Sequence, residues 1–281
     1  MAENRTMNDT NTSFLKLEAL PDDQSGHDER ALPIERVGIR GLRYPLKIRT
    51  KAGIFPAVGN FEMDVALPAH VKGTHMSRFI ALLQKQEEAI DSATVVNMAR
   101  EMLPLLNADE GRIQFTYTHF VKKAAPVSKV ESLMDYEVTW MAKAKQNVEG
   151  SIDVELSLRT LVPVMSLCPC SKEISEYGAH NQRSHITMSV VLDPKTKMTV
   201  EDLVAAAESQ ASSELWGLLK RPDEKWVTEH AYDNPKFVED LVRDVAGQLK
   251  QDQRILSLVV EAENFESIHN HSAFAKISLT K

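Results

Sequence analysis

Cysteine is nearly absent from this chain. Among 281 residues there are two, Cys168 and Cys170, with Pro169 between them. A disulfide across one intervening residue would close a small strained ring, so a structural bridge is not expected. Glycine is also scarce, at 11 residues, and no glycine-rich phosphate fingerprint occurs, which removes the Walker and Rossmann nucleotide cradles. No uninterrupted apolar run is long enough to cross a bilayer, so no membrane partner is expected. The stretch from Met1 to about Arg30 is polar and lacks the apolar core of a signal peptide, which predicts a cytoplasmic protein. Excess positive charge is missing too. The net charge of −7 argues against a broad nucleic-acid surface, though a local basic cluster can still hold a small anion.

What remains is the composition of an ordinary globular protein, 43% apolar and 26% charged, long enough to bury a substantial core. Residues 1–30 read as a flexible tail. Beyond it, β-like alternation and helix-like periodicity follow one another in an order that occurs twice. Val37 to Ile48, broken at Gly41, and Phe61 to Leu67 read as strands. Ser77 to about Ile90, with Phe79, Leu82 and Leu83 on one face, and Val95 to Leu106 read as helices. Ile113 to Phe120 and Tyr136 to Lys143 return to strand. In the second half, Ile152 to about Val164 and His185 to Leu192 are strands, and a helix capped by Thr199 runs to about Leu219. Another begins near Pro235 with Phe237, Leu241, Val242 and Val245 as its apolar face, and Ile255 to Ala262 and Ala273 to Leu279 close the chain as strands. Two ββααββ units, 31–149 and 150–281, predict an α+β fold of antiparallel sheet with helices on one face.

Four groups of residues can carry chemistry. The first is Cys168, Cys170 and His180. Thiolate and imidazole are soft metal ligands and good nucleophile and base groups, and in extended backbone the two thiols would share a face. Against this, cysteines in a cysteine-poor chain are commonly small buried hydrophobes. The second is Lys72-Gly-Thr-His75-Met-Ser-Arg78, between a strand and a helix, a place suited to an anion, or simply a capping run closed by Thr74 or Ser77. The third runs from Lys220-Arg221-Pro-Asp-Glu224 to Pro235-Lys-Phe-Val-Glu239-Asp240. It is a solvated charge run or the source of a carboxylate that completes a thiolate–imidazole–carboxylate metal set. The fourth is Glu266-Ser-Ile-His269-Asn-His271, where two histidines at i and i+2 suit metal, proton or phosphate chemistry, or form a polar loop.

Taken together, Lys72–Phe79, Cys168–Lys172, Gly178–Ser184, Leu219–Glu224, Asn234–Asp240 and Glu266–His269 closely resemble the type IB GTP cyclohydrolases of folate biosynthesis, in order and across nearly the whole chain after the tail. The resemblance implies the tunnelling fold (T-fold) with two fused ββαα-type units, a homotetramer, and active sites at subunit interfaces. It also implies Cys168, His180 and Glu224 as ligands of Zn²⁺, with Mn²⁺ or Fe²⁺ able to substitute on a mixed sulfur, nitrogen and oxygen set. Cys170 is then a catalytic thiol or an occasional further ligand. Glu239 holds the guanine edge, and His75 with His269 or His271 supplies acid–base groups. Lys72, Arg78, Lys172 and Arg183 are expected to meet the triphosphate.

The implied reaction converts GTP and water to 7,8-dihydroneopterin triphosphate and formate. Two rivals stand beside it. One is an NADPH-dependent nitrile reductase of the same fold, using Cys170 to form a thioimide on a deazapurine without a metal. The other is a non-catalytic metal-binding protein whose Cys–His cluster only holds the fold.

Overall fold

The computed structural model describes Gln24 and residues 26–281. Eight strands form one sheet in chain order, each antiparallel to its neighbours. The elements are β1 (Ile34–Thr50), β2 (Gly53–Leu67), α1 (Met76–Gln84), α2 (Ser92–Leu106), β3 (Glu110–Ala124), β4 (Glu131–Gln146), β5 (Ile152–Leu167), α3 (Pro169–Ile174), β6 (Asn181–Leu192), α4 (Val200–Glu208), α5 (Arg221–Asp233), α6 (Val238–Gln251), β7 (Ile255–Asn264) and β8 (Ala273–Thr280). β4 pairs with β5 from Glu137↔Leu161 to Gln146↔Ile152, so the sheet runs without a break across the middle of the chain.

Strict alternation explains why the sheet has two unlike faces. On β3, Ile113, Phe115, Tyr117 and His119 are buried beneath the helices, while Arg112, Gln114 and Thr116 point the other way. Phe115 stacks on Phe61 of β2 with ring centroids 4.9 Å apart, and the same layer continues through Val138, Leu158, Met188 and Val260. α2, α4 and α6 cover this face, docking through residues such as Met98, Met102, Leu203, Leu241 and Val245. The opposite face carries Thr116, Thr139, Ser157, Arg159, Ser189 and Ser257 along a shallow groove.

Several expectations need correction. Gly41 does not end a strand: with φ +74° it hosts a bulge, and β1 continues to Thr50. The helix capped by Thr199 stops at Glu208, because the chain then returns to the sheet at the Met165↔Ser213 bridge. Phe237, expected on the buried face of the next helix, sits at its N-cap and is exposed. The expected tail 1–30 falls mostly outside the described residues. Its last part is tied down, with the N–H groups of Lys72 and Gly73 donating to the carbonyls of Gly26 and Gln24.

Candidate active site

Strand direction decides what can meet. The ends of β5 and β7 and the starts of β6 and β8 lie at one edge of the sheet. Cys168 follows β5, His180 precedes β6, and His269 and His271 lie in the turn between β7 and β8. The N–H of Cys168 donates to the His180 carbonyl at 3.1 Å, and the His180 N–H donates to Ser171 Oγ at 3.1 Å. These bonds bring the thiol and the imidazole residue together although twelve positions separate them in the sequence.

The Cys-Pro-Cys stretch is not extended, contrary to the sequence expectation. Cys168 is the N-cap of α3, and its Sγ accepts from the Ser171 N–H at 3.5 Å; Pro169 and Cys170 are the first residues of that helix. Proline suits a first helical position, where its missing N–H costs nothing. The thiols therefore do not share a strand face. Cys168 is half-buried, Cys170 is exposed, and both are free.

Glu239 reaches the same end of the sheet by another route. The Lys236 N–H donates to the Leu167 carbonyl at 3.0 Å, and Asn234 Nδ2 donates to the Ala211 carbonyl at 2.8 Å. The first turn of α6, with an exposed Glu239, is thereby hung beside the residue preceding Cys168. Lys172 stands over the Tyr232 ring at 4.2 Å and donates to the Tyr232 carbonyl, joining α3 to the end of α5. Arg183 is exposed on β6. His269 and His271 are exposed and stack at 5.1 Å, in the turn between β7 and β8.

Three other expected residues lie elsewhere. Lys72, His75 and Arg78 follow β2, at the far edge of the sheet, where Leu67 pairs with Ile34 and Val65 with Gly111. His75, not Thr74 or Ser77, occupies the N-cap of α1 and makes no side-chain cap there; Arg78 Nη1 donates to the Leu105 carbonyl at 3.1 Å. Glu224 opens α5 at the end anchored to the β3–β4 turn, which lies at the same edge of the sheet as the end of β5, about 12 Å along the helix from Tyr232. Its neighbour Asp223 makes that anchor. This buried carboxylate accepts from the N–H groups of Val127, Ser128 and Lys220 at 2.8, 2.8 and 2.9 Å, and from Ser128 Oγ at 2.6 Å. Burial pushes the Asp223 carboxyl up, but the hydrogen bonds from Ser128, Lys220 and Val127 outweigh it and hold it well below the usual carboxylate range.

The donor set fits a divalent ion in part. Cys168 and His180 are joined by a backbone hydrogen bond, and His180 Nδ1 is 2.9 Å from Gln182 Oε1, which leaves Nε2 as the ring nitrogen that could serve as a ligand. Among the described residues, however, no group of three His, Cys, Asp or Glu side chains is close enough to hold a metal.

Sequence reasoning missed two features. His185, on β6 beside Arg183, packs edge-on to Phe265 at 4.7 Å. Its pKa is lowered by burial and by Arg183, against the opposing pull of Glu263. The buried polar set Gln182, Ser166, Ser184 and Asn264 was also missed. Its signal was present in the sequence: polar residues standing in phase with the inward apolar positions of β5, β6 and β7.

This sheet, with helices on one face and a Cys–His pair at its edge, is a tunnelling fold. The urate oxidase of Bacillus subtilis 168 shares the fold with a TM-score of 0.54 at 9% identity, over 88% of this chain and 98% of that one. A highly active mutant of the Bacillus sp. TB-90 urate oxidase does so with a TM-score of 0.55, also at 9% identity, over 88% of this chain and 100% of that one. Sequence identifies the family. A family model described as type I GTP cyclohydrolase folE2 matches residues 20–275, and the chain belongs to that family. It is 79% identical over 271 residues to the GTP cyclohydrolase FolE2 of Polynucleobacter asymbioticus, covering 96% of this chain and 100% of the relative. It is 57% identical to the GTP cyclohydrolase FolE2 of Cupriavidus pinatubonensis, covering 98% of each.

Proposed function

We propose that this chain is a GTP cyclohydrolase of folate biosynthesis that opens the guanine imidazole ring at a metal site completed by a second copy of the chain. The family match supports the activity, and the nitrile-reductase reading is not favoured beside it. The observation that carries the composite site is the separation of the residues. Cys168, Cys170, His180, Glu239, Lys172, Arg183, His269 and His271 gather at one edge of the sheet, while Lys72, His75 and Arg78 lie at the other. Association of copies, with a homotetramer as the expected assembly, lets one edge meet the other.

Cys168 and His180 would hold the ion, with Glu224 as third ligand, and Zn²⁺, Mn²⁺ and Fe²⁺ all suit such donors. When bound, the ion supplies Lewis acidity that makes a water nucleophilic at neutral pH.

The chain's own groups do the rest. Glu239, at the start of α6, accepts hydrogen bonds from the N1–H and N2–H donors of guanine; adenine lacks that pair and would leave the carboxylate unsatisfied. Water adds at C8, and the imidazole ring opens as a C8–N bond breaks. A proton must reach the departing nitrogen, and His75, His269 or His271 and the exposed Cys170 thiol are the groups placed to move it, a role typically worth about 10²–10⁴-fold. A second water breaks the remaining C8–N bond, so that C8 leaves as formate, and the ribose carbons rearrange and close the pterin ring with loss of one water. Lys172 and Arg183 from one copy, with Lys72 and Arg78 from the other, face the triphosphate; the bonds that anchor Lys172 and Arg78 leave further donors on each.

Formate release from GTP tests this reading. Activity should vanish on chelation and return with Zn²⁺, Mn²⁺ or Fe²⁺, while circular dichroism shows the fold intact throughout. Collapse of the fold on metal removal would support a purely structural metal instead, and metal-independent NADPH oxidation would support the reductase.

A further inference from the structure

A hydrogen-bonded chain runs beneath His180 across three strands. His180 Nδ1 lies 2.9 Å from Gln182 Oε1. Gln182 Nε2 donates to Ser166 Oγ at 2.9 Å, Ser166 Oγ lies 2.8 Å from Ser184 Oγ, and Ser184 Oγ donates to Asn264 Oδ1 at 2.7 Å. Ser166 and Ser184 are fully buried at 0% exposure, and Asn264 and Gln182 are nearly so at 3% and 7%. Four polar side chains in an otherwise apolar layer carry a desolvation cost that only mutual satisfaction offsets.

The chain has a direction. Asn264 Oδ1 can only accept, so Ser184 gives it its proton. Ser184 Oγ must then accept from Ser166, and Ser166 Oγ in turn accepts from the Gln182 amide. That orients the amide with Oε1 toward His180, where it can only accept. The imidazole therefore carries its proton on Nδ1 and presents Nε2 as a bare lone pair. Ser267 Oγ also approaches Nδ1, but at 3.5 Å against 2.9 Å it is the weaker contact.

We infer that Gln182, oriented by Ser166, Ser184 and Asn264, is a positioning residue that fixes the tautomer and ring orientation of His180 for a divalent cation. The inference rests on the proposed role of His180 as a ligand. Metal-binding histidines depend on such partners, and losing one typically weakens metal affinity about 10–100-fold.

The test uses the metal-free full-length protein with ¹⁵N-labelled histidine, at about pH 8, above the ordinary imidazole range. The His180 resonances are assigned from a His180→Gln variant. Wild type should show the Nδ1–H form. Gln182→Leu should show mixed tautomers and a Zn²⁺ Kd raised about 10–100-fold in competition with a chromophoric chelator. Gln182→Glu keeps an acceptor at Nδ1 and should retain both the tautomer and most of the affinity, whereas a merely structural role predicts that it is as harmful as Gln182→Leu. If Gln182→Leu does not fold, Asn264→Leu against Asn264→Asp asks the same question from the far end of the chain. An Nε2–H imidazole in wild type, or a tautomer indifferent to these changes, would overturn the inference. Absence of Zn²⁺ binding in wild type with the tautomer as expected would instead defeat the metal reading.

Discussion

His75 and Cys168 lie at opposite ends of the same sheet. β5, whose end leads into Cys168, is 16 residues long, roughly 50 Å at strand rise, and the segment holding His75 leaves the sheet near the edge where β5 begins. No side-chain motion spans that distance. If both residues serve one reaction, they do so from different copies, and the antiparallel order β1 to β8 is what sets them apart.

The two cysteines should separate by function. Cys168→Ala removes the thiol of the residue bonded through the backbone to His180 and should abolish stoichiometric metal binding, read by elemental analysis of the purified protein. Cys170→Ala leaves that pair in place, so metal should be retained while kcat falls about 10²–10⁴-fold if its thiol moves a proton. Equal metal loss in both variants would make Cys170 a ligand of the same rank.

Glu239→Gln is close to isosteric but replaces a carboxylate acceptor with an amide. A charge-assisted hydrogen bond is worth about 1.5–3 kcal/mol, so KM for GTP should rise about 10–100-fold with metal content unchanged. Unchanged discrimination between GTP and ATP in this variant would remove Glu239 from guanine recognition.

Asp223 links α5 to the β3–β4 turn through a carboxyl whose pKa is depressed in the folded protein. Its contribution to stability is therefore present above its unfolded pKa of about 4 and is lost as pH falls toward the folded value. Asp223→Ala should lower Tm at neutral pH, and the gap from wild type should narrow as pH drops below about 4. A gap independent of pH would mean that packing, not ionisation, matters at this position.

The sheet was largely legible in the sequence because alternation is a strong signal where one face is buried. Phe61, Met63 and Val65, and Ile113, Phe115 and Tyr117, mark their strands without ambiguity, and all six are buried. α5 was hidden for the opposite reason. Its buried side chains are Asp223, Val227 and Ala231, a single thin stripe headed by a carboxylate, which reads as a charged turn. α3 has no buried residue and hence no apolar period to detect. Of the site, the residue types could be read from the resemblance, and the pairing of Cys168 with His180 was implied by it. That His75 stands apart from this pair could not be read, because it depends on which end of each strand pairs with which. The Gln182 chain was visible only as polar residues in the apolar phase, a pattern that gains meaning once neighbouring strands are aligned.

Subunit mixing tests the composite site most directly. Cys168→Ala and His75→Ala proteins, each inactive in formate release from GTP, are unfolded together, refolded as a mixture and assayed. If a site takes Cys168 from one copy and His75 from another, random mixing restores roughly a quarter of the sites, and activity should recover toward that level. Recovery of none, with both variants folded and co-assembled, would contradict a site shared between copies.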